Sequence, residues 1–344
     1  MMTSLKTLML QSCNLSGQLP TTQGFLDLKN LEYLDLSFST LDNIIFQVIG
    51  TMTSLKTLML QSCNFNGQLR TTQGFLDLKN LEYLDLSSST LDNSIFQVIG
   101  TMTSLKTLML QSCNFNGQLR TTQGFLDLKN LKYLDLSSST LDNSIFQVIG
   151  TMTSLKTLML QSCNFNGQLR TTQGFLDLKN LKYLDLSSST LDNSIFQVIG
   201  TMTSLKTLML QSCNFSGQLH TTQAFLDLKN LEYLDLSYST LNNSIFQVIE
   251  TMTSLKTLRL QSCNLNGQLP TTQASVTESI NPVNIAFCRQ HSPLEMDDHP
   301  VEQMNQSSLE IPHNNSSLHD PNNRRLGFVR FQVKSVQKLN IVMA

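Results

Sequence analysis

Apolar residues fall at fixed offsets along most of the chain. From Leu55 they read Leu55-x-x-Leu58-x-Leu60-x-x-Cys63-x-Phe65, and from Leu81 they read Leu81-x-x-Leu84-x-Leu86-x-x-Ser89-x-Leu91. The Leu-x-Leu step alternates, so it predicts a short strand whose leucines share one face and whose intervening residues share the other. Units open at Leu5, Leu31, Leu55, Leu81, Leu105, Leu131, Leu155, Leu181, Leu205, Leu231 and Leu255, alternately 26 and 24 residues apart. Residues 101–150 and 151–200 are identical. No unit of this size buries its leucines alone. It needs a neighbour on each side, so the pattern predicts stacked coils with one continuous core. Phe75, Leu76 and Leu78, like Phe96, Ile99 and Met102, are spaced to fill that core on the return path.

The spacing is that of leucine-rich repeats. Leu15-Ser16-Gly17-Gln18-Leu19-Pro20 and Leu265-Asn266-Gly267-Gln268-Leu269-Pro270 continue it as plant-type repeats do, and the arrangement over residues 3–274 resembles the ectodomains of plant receptor-like proteins and receptor-like kinases. The expected fold is an α/β leucine-rich-repeat horseshoe with a parallel sheet on its concave face. With coils stacked about 4.8 Å apart, the array would form an arc on the order of 50 Å long. The resemblance implies a secreted or cell-surface recognition protein for a protein or peptide ligand, with a co-receptor, acting in signalling or defence. Two alternatives stand beside it: a soluble inhibitor of a cell-wall-degrading enzyme, and a recently duplicated receptor fragment without function. The family's secretion signal, caps and membrane anchor have no counterpart in these residues, which suggests a fragment or an incomplete gene model.

Three regions are expected: the solenoid over 1–274, a polar tail over 275–325, and a short strand or unstructured terminus over 326–344. The tail is rich in Asn, Ser, His, Pro and acidic residues and is expected to be disordered. Phe328 to Val336 alternates and suits a strand, either one that covers the final coil or translated non-coding sequence. The first coil has an open edge and is expected to fray.

Charge and chemistry narrow the function classes. Charged residues make up 14% of the chain and the net charge is −2, which argues against a nucleic-acid partner. No run of apolar residues is long enough to span a membrane. Six cysteines, Cys13, Cys63, Cys113, Cys163, Cys213 and Cys263, recur at the ninth position of alternate units. Coils two apart separate them by about 9–10 Å, beyond disulfide reach, so they are read as small buried groups. The serines at that position in the other units are expected to bond the turn less completely. No catalytic constellation, phosphate loop or cofactor motif is present; the carboxylates of Asp35 and its copies recur too far apart for paired acid–base work. No cofactor and no metal is expected.

The concave face is therefore the candidate binding surface. Its predicted ligand-binding residues are Tyr33, Asp35, Met59, Tyr83, Asp85, Lys132, Tyr133, Asp135, Lys182, Tyr183, Asp185, Tyr233 and Asp235. Tyrosine suits recognition because it offers a large area at small entropic cost. The copies differ at 32/132, where Glu becomes Lys, and at 38/88, where Phe becomes Ser. Arg70, Arg120 and Arg170 form a second candidate row. Sequons at Asn14, Asn214 and Asn242 would be glycosylation sites in a secreted chain.

Overall fold

The computed structural model describes residues 4–15, 27–41, 43–65, 77–92, 95–116, 128–141, 145–165, 178–192, 194–216, 228–242, 252–266, 283–287, 327–331 and 340–342. Each unit contributes one three-residue strand, from Thr7–Met9 and Tyr33–Asp35 through to Tyr233–Asp235 and Thr257–Arg259. They stack in chain order as one parallel sheet. The register never slips: Tyr133 lies opposite Thr107 and Thr157, and Asp135 opposite Met109 and Met159. The chain is a leucine-rich-repeat solenoid with this sheet on its inner face.

The leucines of the signature form the core. From Leu34 onward, Leu34, Leu58, Leu84 and the copies that follow are at most 1% exposed, and Leu60, Leu110 and Leu160 are fully buried. Each buried leucine contributes roughly 1.5–3 kcal/mol through removal from water. On the return path Leu78, Ile99 and Met102 are buried as expected, whereas Phe75, Leu76 and the Phe96 side chain lie outside the described residues. Phe46 is fully buried and its ring lies 5.7 Å from that of Phe65 in the next coil. Short helices, such as Asn43–Gly50 and Ser194–Ile199, occur in the Tyr-bearing units. They end where Thr51 and Thr201 donate back to the carbonyls of Val48 and Val198. In the first coil Leu5, Leu8, Leu10 and Leu15 are only partly buried and pack against the core.

Past each strand the chain turns in a way the leucines do not dictate. The eighth residue of every unit has positive φ, between 51° and 61°: Ser12, Phe38, Ser62, Ser88, Ser112, Ser138, Ser162, Ser188, Ser212, Tyr238 and Ser262. This left-handed geometry crowds Cβ against the backbone and costs roughly 1–2 kcal/mol per residue. It persists because its neighbours are pinned. Asp85 Oδ1 accepts the Ser87 N–H at 2.8 Å, and the Ser88 N–H donates to the Gln111 carbonyl of the next coil at 2.7 Å.

Two segments lie beyond the repeats. Within 275–325, expected to be disordered, Val283–Phe287 is a strand paired antiparallel with Gly327–Phe331. Its residues, VNIAF, are an apolar run inside a polar stretch. The rest of that stretch lies outside the described residues. Asn340–Val342 continues the inner sheet beside Thr257–Arg259.

A substitution at the exposed left-handed position separates backbone strain from packing. Ser138→Val should lower the urea midpoint by the equivalent of about 1–2 kcal/mol, while Ser138→Gly should leave it unchanged or raise it. Equal effects from the two would mean that the turn stores no strain.

Candidate functional site

The inner face is built from columns, because each strand position repeats in register. The third position alternates Thr and Tyr, the fifth alternates Met and Asp, and the seventh alternates Gln and Ser. Tyr33, Tyr83, Tyr133, Tyr183 and Tyr233 are half-buried, each flanked by threonines of the coils on either side. Burial lifts the phenols of Tyr83, Tyr133 and Tyr183 above their ordinary pKa, and the nearby aspartates add to the effect. They remain neutral hydrogen-bond donors at physiological pH.

The aspartates differ from expectation. Asp35, Asp85, Asp135, Asp185 and Asp235 are 0–6% exposed, although they sit on the inner-face side of their strands. Each carboxylate folds back on its own turn: Asp35, Asp85, Asp135, Asp185 and Asp235 accept the N–H of Ser37, Ser87, Ser137, Ser187 and Ser237 at 2.8–2.9 Å. Gln11 also donates to Asp35. Burial raises the pKa of Asp185 above the usual carboxylate value, opposed by its bonds to Ser187. Alternation alone places these residues outward; the tight turn that follows draws them down. They hold the turn, and the surface they leave is tyrosine, threonine and methionine. Met59 is half-buried, and Met9, in the first coil, is 60% exposed. In the last unit Arg259 replaces methionine, 3.6 Å from the buried Asp235 carboxylate and 3.4 Å from the Tyr233 hydroxyl.

The ninth position forms a second internal ladder. Cys63, Cys113, Cys163 and Cys213 each donate Sγ–H to the sixth-position leucine carbonyl of the preceding coil, at 3.2 Å. The serines, expected to be less well bonded, do the same: Ser89, Ser139 and Ser239 donate to Leu60, Leu110 and Leu210 at 3.3, 3.3 and 3.0 Å. They are buried, and Ser39 and Ser239 also accept the N–H of Cys13 and Cys213. A hydroxyl thus serves both functions at one turn, through bonds longer than the usual 2.7–2.8 Å. The cysteines are free thiols. Burial pushes Cys63 up to about 11 and Cys113, Cys163 and Cys213 up to about 12.

At the strand-entry edge, the second position of every unit is charged. Glu32 pairs with Lys6 on one side and with Lys56 at 2.8 Å on the other. Glu82 pairs with Lys106 at 2.8 Å, and Glu232 pairs with Lys206 and Lys256 at 2.7 and 2.6 Å. The lysine hydrogen bonds hold Glu32 and Glu232 down at about 2. A depressed carboxylate stabilises the fold above its unfolded value and loses that contribution as pH falls from about 4.5. These pairs are solvent-exposed, so their effect is small and screened by salt. Lys132 and Lys182 are exposed on the same row, next to Tyr133 and Tyr183. This row is visible in the sequence only when both unit lengths are laid in one register. Among the described residues the exposed aromatics Phe38 and Tyr238, 56% and 49% exposed, occupy the left-handed position where the middle coils have serine.

Of the sequon residues, Asn14 is exposed in a two-residue strand. Asn214 and Asn242 lie in strands whose side chains at those points are outside the described residues. Arg70, Arg120 and Arg170 are outside them too. Among the described residues no group of side chains is arranged to hold a metal ion, and no helix is long and apolar enough to cross a membrane.

No family model matches the chain, and no curated protein is significantly similar to it. Solved structures match well in shape. A TDR receptor is 28% identical with a TM-score of 0.58, over 77% of this chain and 44% of that one. The ectodomain of the plant membrane receptor kinase GASSHO1/SCHENGEN3 from Arabidopsis thaliana, solved in complex with CASPARIAN STRIP INTEGRITY FACTOR 2, is 23% identical with a TM-score of 0.53, over 78% and 37%. An internalin from Listeria monocytogenes is 17% identical with a TM-score of 0.57, over 76% and 75%. The chain thus spans less than half the length of each of these two receptors.

The thiol ladder gives a direct test. In the native protein at pH 8, Cys63, Cys113, Cys163 and Cys213 should alkylate with iodoacetamide at least about tenfold more slowly than after unfolding, because the thiolate is the reacting form. Mass-spectrometric mapping reads each site; equal rates before and after unfolding would place the thiols at the surface.

Proposed function

We propose that this chain is a non-catalytic recognition module that holds a protein or peptide ligand against its inner face, in the manner of a plant receptor-like ectodomain. The observation that carries this is the tyrosine column. Five half-buried phenol rings stand in register on a sheet fixed by the core beneath. Aromatic rings on a rigid support gain contact area while losing little conformational freedom on binding. The shape shared with a TDR receptor supports the same reading.

Recognition would come from Tyr133 and Tyr183 at the centre, Tyr33, Tyr83 and Tyr233 along the column, Met59 and its copies between them, and Lys132 and Lys182 at the edge. The buried aspartates act by fixing the turn that presents these residues. In this reading the chain works outside the cell, in signalling or defence, with a co-receptor completing the complex and Asn14 as the exposed sequon that would carry a glycan.

Two experiments test the proposal. Peptides selected on the immobilised full chain from a displayed random library should lose about tenfold or more in affinity on the double change Tyr133→Ala/Tyr183→Ala, since buried tyrosines are frequent hot spots. Tyr133→Phe/Tyr183→Phe should retain most of it, and unchanged affinity in the alanine variant would remove the tyrosine column from the site. In native tissue, the product detected by immunoblot should shift to lower mass on endoglycosidase treatment; no shift would set aside the glycosylated, secreted reading.

A further inference from the structure

The second position of the units reads, in stacking order, Lys6, Glu32, Lys56, Glu82, Lys106, Lys132, Lys156, Lys182, Lys206, Glu232, Lys256. Toward either end opposite charges alternate and pair. In the middle five lysines follow one another without a carboxylate. Their order in space is fixed by the backbone: the N–H groups of Lys132, Lys156, Lys182 and Lys206 donate to the carbonyls of Lys106, Lys132, Lys156 and Lys182, at 2.8–2.9 Å. Lys106 and Lys206 are engaged outward, with Glu82 and Glu232. Lys132, Lys156 and Lys182 make no ion pair among the described residues.

We infer that this lysine row is the specificity element of the inner face and selects an acidic, extended peptide segment; the inference rests on the recognition reading above and names the ligand's chemistry. The molecule itself shows how the row holds a carboxylate. Glu32 and Glu232 each bridge the lysines of the coils on both sides. Where residues 132 and 182 are lysine, the bridging carboxylates are missing from the chain and a ligand supplies them. Charge concentrated in one row of a chain whose net charge is −2 is a local feature, and like charges at this spacing raise the local potential for an anionic partner.

The neighbouring columns favour a peptide over an acidic sugar polymer. Beside the lysines run the half-buried tyrosines and threonines, then the half-buried methionines. An extended peptide alternates its side chains, so acidic residues at every second position meet the lysines while apolar ones meet Tyr133, Tyr183 and the methionines. From Lys106 to Lys206 the row covers four steps of about 4.8 Å, roughly 19 Å, which is the reach of about six extended residues.

The test uses the full chain and a fluorescein-labelled peptide of about eight residues alternating Glu and Leu, with a Lys–Leu peptide as the charge-reversed control. The acidic peptide should bind, and its affinity should fall as salt rises. Lys132→Glu/Lys182→Glu restores the alternation present at Glu32 and Glu232, so it should fold at least as stably as the parent by thermal melting, yet weaken the acidic peptide at least about tenfold and flatten the salt dependence. Lys132→Gln/Lys182→Gln should give an intermediate loss. Equal binding by the parent and the Glu variant overturns the inference, as does a matched oligouronate that binds at least about tenfold tighter than the peptide. Loss of binding in the lysine variant but not in Tyr133→Ala/Tyr183→Ala supports the row and rejects the tyrosine column, which separates this inference from the reading beneath it.

Discussion

Every feature of this molecule depends on strands that stack in parallel and in register. Each coil passes its strand hydrogen bonds to the next without a slip, so a position in the repeat becomes a column in space. The leucine columns close a dry core, and all other columns inherit their spacing from it. A slip of one residue between two coils would turn leucines outward and tyrosines inward, and the cost of that exchange holds the register.

Register also settles what the polar positions do. A carboxylate at the fifth position accepts the backbone N–H of the serine two residues on. Bonding it closes the turn and buries the aspartate. The ninth-position cysteine or serine then reaches the leucine carbonyl one coil back. Asn80, Asn130, Asn180 and Asn230 tie the coils again, through the carbonyls of Thr53, Thr103, Thr153 and Thr203. These bonds compensate backbone groups that a turn would otherwise leave unpaired in a dry interior. They also explain how serine, phenylalanine or tyrosine is held in a left-handed conformation at the eighth position.

What remains for function is a narrow surface: tyrosine, threonine and methionine on the sheet, lysine and glutamate at its entry edge. The sheet is rigid because the core beneath it is continuous. The edge varies among copies that are otherwise nearly identical, and there the charge pattern breaks from alternating to uniform. Rigid aromatic columns beside a variable charged row suit recognition better than chemistry, which needs unlike groups brought close together.

Spacing and side-chain size were enough to read off the period, the leucine core, the parallel inner sheet and the burial of Cys63, Cys113, Cys163 and Cys213, while Cys13 and Cys263 in the end units are only partly buried. It also marked Tyr133, Tyr183, Lys132 and Lys182 as residues of interest. That Asp35 and its copies are buried turn bonds emerges with the fold, because strand alternation places them outward and a backbone N–H two residues later draws them in. The lysine row, too, exists only once the coils stack: residues 132, 156 and 182 are remote in sequence and become neighbours through strand pairing. Spacing along a chain reports which side of a strand a residue takes, whereas its hydrogen-bond partner and its neighbour across the coil are properties of the stack.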